Sequence, residues 1–148
     1  MRNVAWQLRD GDEIADMDVV RSPPPGAKKP RKAPMLVAVT EGGYGKRMPI
    51  DLFATKGRGG KGMIAIKFKN DEDRLLALTQ ARGDGEVLLI TQKGTLVRQS
   101  VNKISEQGRM ATGVQLQRLD ADDGVASVAV VAPDPDAAAA ANYTDAAT

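Results

Sequence analysis

The stretch Lys56-Gly57-Arg58-Gly59-Gly60-Lys61-Gly62 sets three cations among four glycines, a composition suited to holding phosphate. Glycine lacks a Cβ, so backbone N–H groups can approach an anion closely, while Arg58 and Lys61 neutralise its charge. The spacing is not that of a nucleotide-hydrolysing loop. Gly62 stands where that loop has Ser or Thr after its lysine, and the first glycine is missing at the required distance. Taken alone, the stretch fits a phosphate contact and a basic surface turn equally well. Other chemistries are narrowed by composition: with no cysteine and no histidine there is no thiolate nucleophile, disulfide, histidine base or usual zinc site.

What decides between the two readings is a repeat. At an offset of 51 residues and without a gap, Thr40 aligns with Thr91, Gly43 with Gly94, Arg47 with Arg98, Gly57 with Gly108, Arg58 with Arg109 and Gly62 with Gly113. Three of these six identities are glycines, which mark backbone positions rather than chance composition. An earlier piece, Leu8 to Val20, parallels Leu119 to Val131, so residues 1–20 are read as the end of a truncated preceding unit, with Met1 inside it. Arg47 and Arg98, and likewise Arg58 and Arg109, then occupy equivalent places on neighbouring units. Repeated cations of this kind make a strip that can follow a polyanion.

The elements that position them read as β. Met35 to Thr40 and Val87 to Thr91 are apolar runs ending in Gly-containing turns. Ile64, Ile66 and Phe68 alternate with Ala65, Lys67 and Lys69, as in a strand with one buried and one wet face. Leu75 to Thr79 and Val125 to Val131 supply a further strand after acidic turns. Four short strands in about 50 residues predict a propeller-like blade. The fold class expected is all-β: two four-stranded blades, residues 35–82 and 83–132, plus the end of a preceding blade. Trp6, Phe53 and Phe68 are expected in packing rather than base stacking, and Tyr44 beside its turn.

Charge is segregated along the chain although the total is only +2. Residues 21–34 carry five Lys or Arg and no acid, and residues 35–69 carry seven against two, whereas residues 120–148 carry six Asp and no base. The pattern fits a presented basic surface, with ordinary solvated charge as the bland alternative. The Pro- and Lys-rich residues 21–34 are expected to be an extended connection, and residues 133–148 a disordered tail. No secretory signal or membrane-length apolar run is present, so a cytoplasmic, nucleoid-associated setting is expected.

The segments VTEGGYGKRMPI, GRGGKGMIAIK, VLLITQKGTLVRQSV and GRMATGVQLQRL together resemble the C-terminal domain of the DNA gyrase A subunit, or of its topoisomerase IV counterpart. The resemblance runs over most of Trp6 to Ala132 and implies a β-pinwheel, a propeller variant of usually six blades that wraps DNA on its outer rim. The family's box, Gln-Arg-Arg-Gly-Gly-Lys-Gly, is matched at Arg58, Gly59, Gly60, Lys61 and Gly62 and departs at Lys56 and Gly57. In the family the functional box lies in the first blade, so here a box-like repeat contacting DNA is implied rather than the element that sets the sense of wrapping.

The resemblance implies duplex DNA as partner, bound through Lys46, Arg47, Lys56, Arg58, Gly59, Gly60, Lys61, Arg98 and Arg109, and, within a larger parent, association with gyrase A and B subunits. It implies no cofactor and no catalysis, since the family's cleavage tyrosine and ATPase lie in other regions; Tyr44 and Tyr143 do not match that role. Two alternatives stand beside it: a protein-interaction propeller fragment, and a truncated product without independent function whose strand edges stay unpaired.

Overall fold

A computed structural model describes residues 10–20, 34–57 and 62–132. Seven strands and two 3₁₀ turns follow in order: β1 (Met35–Thr40), β2 (Tyr44–Pro49), a turn at Ile50–Leu52, β3 (Leu75–Ala81), β4 (Glu86–Thr91), β5 (Leu96–Ser100), a turn at Val101–Lys103, β6 (Val114–Gln115) and β7 (Val125–Val131). They form two antiparallel sheets, ordered β3-β1-β2-β6 and β5-β4-β7. The expected all-β, blade-like architecture is therefore present, open rather than closed into a barrel.

The repeat is reproduced down to individual hydrogen bonds. In the first hairpin Gly43 N–H donates to Thr40 O (3.1 Å) and Tyr44 N–H to Thr40 Oγ1 (3.2 Å); in the second, Gly94 N–H donates to Thr91 O (3.0 Å) and Thr95 N–H to Thr91 Oγ1 (3.1 Å). The glycine is required because its φ is positive, +82° at Gly43 and +85° at Gly94. Each threonine is buried and marks a register shift, between Val39 and Thr40 and between Ile90 and Thr91. The two 3₁₀ turns, opening at Ile50 and Val101, likewise stand 51 residues apart.

Period-2 patterning builds the core. Val37 and Val39 of β1 pack with Ala81, Val87, Leu89, Val101, Ile104 and Val125, a cluster that draws on both sheets. Ala38, on the opposite face of β1, packs with Met48 and Ile66, flanked by Phe53, Leu75 and Leu78. With both faces covered, β1 reads as a continuous apolar run instead of an alternating one.

Strand assignment departs from expectation in three places. Ile64 to Phe68 joins no ladder. Only Ile66 is buried, while Ile64 and Phe68 are 55% and 39% exposed. The outer strand of the first sheet is instead β6, from the second unit, pairing Tyr44 with Gln115 and Gly45 with Val114. Alternation shows that a segment can be a strand, but a strand exists only where an edge is available to pair with it. Among the described residues the second sheet correspondingly has three strands rather than four.

Residues 12–20, parallel in sequence to the β7 region, form no strand either. They run along the outer edge of β3, where Asp16 Oδ2 accepts from Leu78 N–H (3.0 Å) and Asp18 Oδ2 from Gln80 N–H (2.6 Å) and Thr79 Oγ1 (3.1 Å). Carboxylates stand in for the missing ladder. Trp6, most of the 21–34 connection and the 133–148 tail lie outside the described residues.

Candidate nucleic-acid interface

The second unit's Gly108–Ala111 segment is equivalent to Gly57–Gly60 of the opening motif, and its position is set from beneath by Lys46. The Lys46 side chain is fully buried, and its Nζ donates to the carbonyls of Gly108 (2.7 Å), Arg109 (2.8 Å) and Ala111 (2.7 Å). All three ammonium protons are thereby used, and burial pushes the group below its ordinary pKa. Lys46 was expected to contact DNA; the structure corrects this, placing it as an internal clamp with no proton facing solvent. Alternation along β2 turns it inward between Gly45 and Arg47.

Arg109, half-buried, donates from Nη1 to Ile64 O (3.2 Å), and Lys67 N–H donates to Ala111 O (3.3 Å). These bonds lay residues 64–67 beside the turn and bring the exposed Lys67 close to Arg109. Lys69 is exposed nearby along the chain, donating to Tyr44 Oη (2.8 Å) with its ammonium 4.8 Å from the Tyr44 ring centre. Tyr44 thus sits beside its turn, as expected. Lys67 and Lys69 were legible as the wet face of an alternating stretch, but neither is an identity in the repeat: Lys67 is matched by Arg118, which keeps only the charge, and Lys69 by Asp120.

The remaining expected residues divide. Arg47 is half-buried and paired to Glu106 of the second unit at 3.8 Å, while its N–H and C=O bond Ser105 O and Gln107 N–H, both at 3.0 Å. Its equivalent Arg98 is exposed on β5 and paired with Glu86 across the ladder. Among the described residues the two arginines therefore differ in environment: Arg47 is half-buried against the second unit, and Arg98 is exposed on β5. Lys56 is exposed in the stretch following the first 3₁₀ turn. Arg58, Gly59, Gly60 and Lys61 lie outside the described residues. Among the described residues no cluster of three or more acidic side chains is placed to hold a metal ion, and no helix is long and apolar enough to cross a membrane.

Two repeated antiparallel sheets, joined by a strand passed from one unit to the other, define a β-propeller-like class of protein. Residues 34–81 and 85–132 each match the family described as the DNA gyrase C-terminal domain, beta-propeller. The chain belongs to that family. It is 51% identical over 100 residues to the DNA gyrase A subunit of Synechocystis, covering 68% of this chain and 12% of that one. It is 37% identical over 127 residues to the DNA gyrase A subunit of Thermotoga maritima, covering 86% of this chain and 15% of that one.

Among solved structures, a DNA gyrase A C-terminal domain superposes with a TM-score of 0.61 at 31% identity, covering 68% of this chain and 34% of that one. A topoisomerase IV C-terminal domain superposes with a TM-score of 0.62 at 22% identity, covering 69% and 31%, which speaks to fold alone. The chain spans 12% to 15% of the length of these curated relatives.

Proposed function

We propose that this chain binds duplex DNA through its phosphates, largely without base readout, and contributes to DNA wrapping within the C-terminal domain of a type IIA topoisomerase, the cleavage chemistry lying elsewhere. The observation that carries this reading is membership of the gyrase C-terminal domain family across both units. Physical support comes from two cations at one turn: Arg109 within the Gly108–Ala111 segment, its guanidinium bonded to Ile64 O, and Lys67, whose backbone N–H bonds Ala111 O. Phosphate contacts of this kind position a duplex without reading its sequence. Lys56, Arg98 and the box residues Arg58, Gly59, Gly60 and Lys61 belong to the same proposed surface, with Arg47 at its half-buried margin.

The proposal includes the division into a preceding unit's end (1–20), a connection (21–34), two blades (35–82 and 83–132) and a tail (133–148). It also includes association with gyrase A and B subunits in a longer parent, acting on DNA in the cytoplasm. A titration of duplex binding against salt tests it. With about four to six cations engaged, the log-log slope is expected to be roughly −4 to −5, and a slope near zero overturns the reading. Replacing Arg109 and Lys67 by Ala is expected to reduce the slope's magnitude by about 0.9 for each phosphate neutralisation removed. Replacing Lys28 and Lys29 in the Pro-rich connection is expected to matter less.

A further inference from the structure

The peptide groups around Arg109 are turned in one direction from within. Lys46 Nζ draws in the carbonyls of Gly108 (2.7 Å), Arg109 (2.8 Å) and Ala111 (2.7 Å), and Lys67 N–H also donates to Ala111 O (3.3 Å). No peptide bond among the described residues is cis. In a trans peptide the N–H points opposite to the C=O in the same plane. Turning these three carbonyls toward the lysine therefore turns the next three N–H groups, those of Arg109, Met110 and Thr112, away from it.

Those three donors are unused. Among the described residues Ala111 N–H is satisfied within the turn by Gly108 O (3.3 Å), and Gly113 N–H by Gln107 Oε1 (3.1 Å), but nothing accepts from the N–H of Arg109, Met110 or Thr112. Solvent reaches the segment: Gly108 is exposed, Met110 is 62% exposed, and Arg109, Ala111 and Thr112 are half-buried. A carbonyl that accepts from an ammonium polarises its own peptide, so the N–H on the far side becomes a stronger donor.

Charge favours an anion there, since Arg109 lies within the segment and the nearest acid before it in the chain, Glu106, is engaged by Arg47 at 3.8 Å. Geometry selects among anions. Carbonyls that converge on one ammonium belong to peptides whose N–H groups fan outward, so the three donors do not close around a single small ion. They can meet successive oxygens of an extended one.

We propose that the N–H groups of Arg109, Met110 and Thr112 form a main-chain seat for a phosphodiester strand, meeting its oxygens in series while Arg109 and Lys67 supply the charge. The seat rests on the reading of this chain as a duplex-binding unit and adds to it donors that carry no charge. Lys46 does not touch the strand; it orients the peptides that do. At the repeat offset Val97 stands for Lys46, so the device is not encoded by the repeat.

Amide NMR of the 148-residue chain, titrated with a short DNA duplex, tests this with a control inside the same turn. An N–H that donates to an anionic oxygen moves downfield, so the Arg109, Met110 and Thr112 signals are expected to shift saturably, while Ala111, already bonded to Gly108 O, stays. Inorganic phosphate at the same ionic strength is expected to leave all four in place. Thr112→Pro removes one donor and no charge. It is expected to weaken duplex binding about tenfold, as the loss of one hydrogen bond to a charged group would, with the log-log salt slope unchanged. Thr112→Ala, which keeps the N–H, is expected to bind like the parent. Should Thr112→Pro lose its β-sheet circular dichroism, the titration of the unsubstituted chain decides alone. Duplex binding with a steep salt slope, in which the three amides move no more than Ala111, overturns the seat and leaves the proposed function standing. So does a folded Thr112→Pro that binds like the parent. Equal shifts with inorganic phosphate overturn the choice of an extended strand, and a chain that binds no duplex overturns the proposed function and the seat together.

Discussion

Lys46 shows how little a residue's type says about its use. In sequence it adjoins Arg47 in a basic hairpin; in the fold its ammonium is enclosed and holds three carbonyls of the second unit. Lys46→Met keeps the stem but leaves those acceptors without donors, and is expected to cost about 3 kcal/mol in urea unfolding. If instead Lys46 served DNA directly, the variant would bind weakly yet unfold like the parent. Two glycines give a paired experiment at the same scale. Gly113 and Gly62 share a positive φ, +94° and +73°, but only Gly113 faces a neighbouring carbonyl at 2.5 Å from its Cβ position. Gly62→Ala is expected to cost about 1 kcal/mol of backbone strain and Gly113→Ala clearly more, because the clash adds to the strain. Equal costs, measured by denaturant unfolding, would show that the close approach relaxes freely.

Among the elements, the acidic segment along β3 has the clearest pH signature. Asp18 is held below its ordinary value of 3.8 chiefly by the Gln80 N–H, partly opposed by burial, with further help from Val19 N–H and the Thr79 hydroxyl. A carboxyl whose folded pKa is depressed stabilises fully above its unfolded value and loses that contribution as pH falls through the folded one. The segment is therefore expected to stay docked above pH 3.8 and to release below it. The amide of Gln80, followed by NMR exchange, should lose protection over that acidic window, and Asp18→Ala should show the same loss at neutral pH. Protection of Gln80 unchanged by both acid and substitution would mean that this edge is guarded otherwise. The β6 exchange makes a second point about elements. Hairpin strands were readable because their partners are adjacent in sequence, whereas β2 meets Val114 and Gln115 from the following unit, and no local pattern encodes which edge a short strand will meet.

For the whole molecule, the main apolar cluster takes Val37, Val39 and Ala81 from one sheet and Val87, Leu89 and Val125 from the other, and β3 packs against β7. A shared core predicts one cooperative unfolding transition. Leu89→Ala, in the second sheet, is expected to destabilise by about 2–5 kcal/mol and to move the first sheet's signal with it, without a change in denaturant slope. Two separated transitions would mean that the units fold independently. The sequence by itself determined the repeat, its period, the glycine turns, the apolar strands and the family, because each of these is written in neighbouring residues or in identities at one offset. It also placed Arg109 opposite Arg58. What only the tertiary structure decided is where equivalent residues go once units meet. Lys46 turns inward beneath a turn 62 to 65 residues away, Arg47 is half-buried while Arg98 is exposed, and the alternating stretch from Ile64 finds no partner strand among the described residues. The physical reason is that a side chain's burial and a strand's pairing depend on what packs against them, and in this fold the neighbour that packs there comes from the adjacent unit.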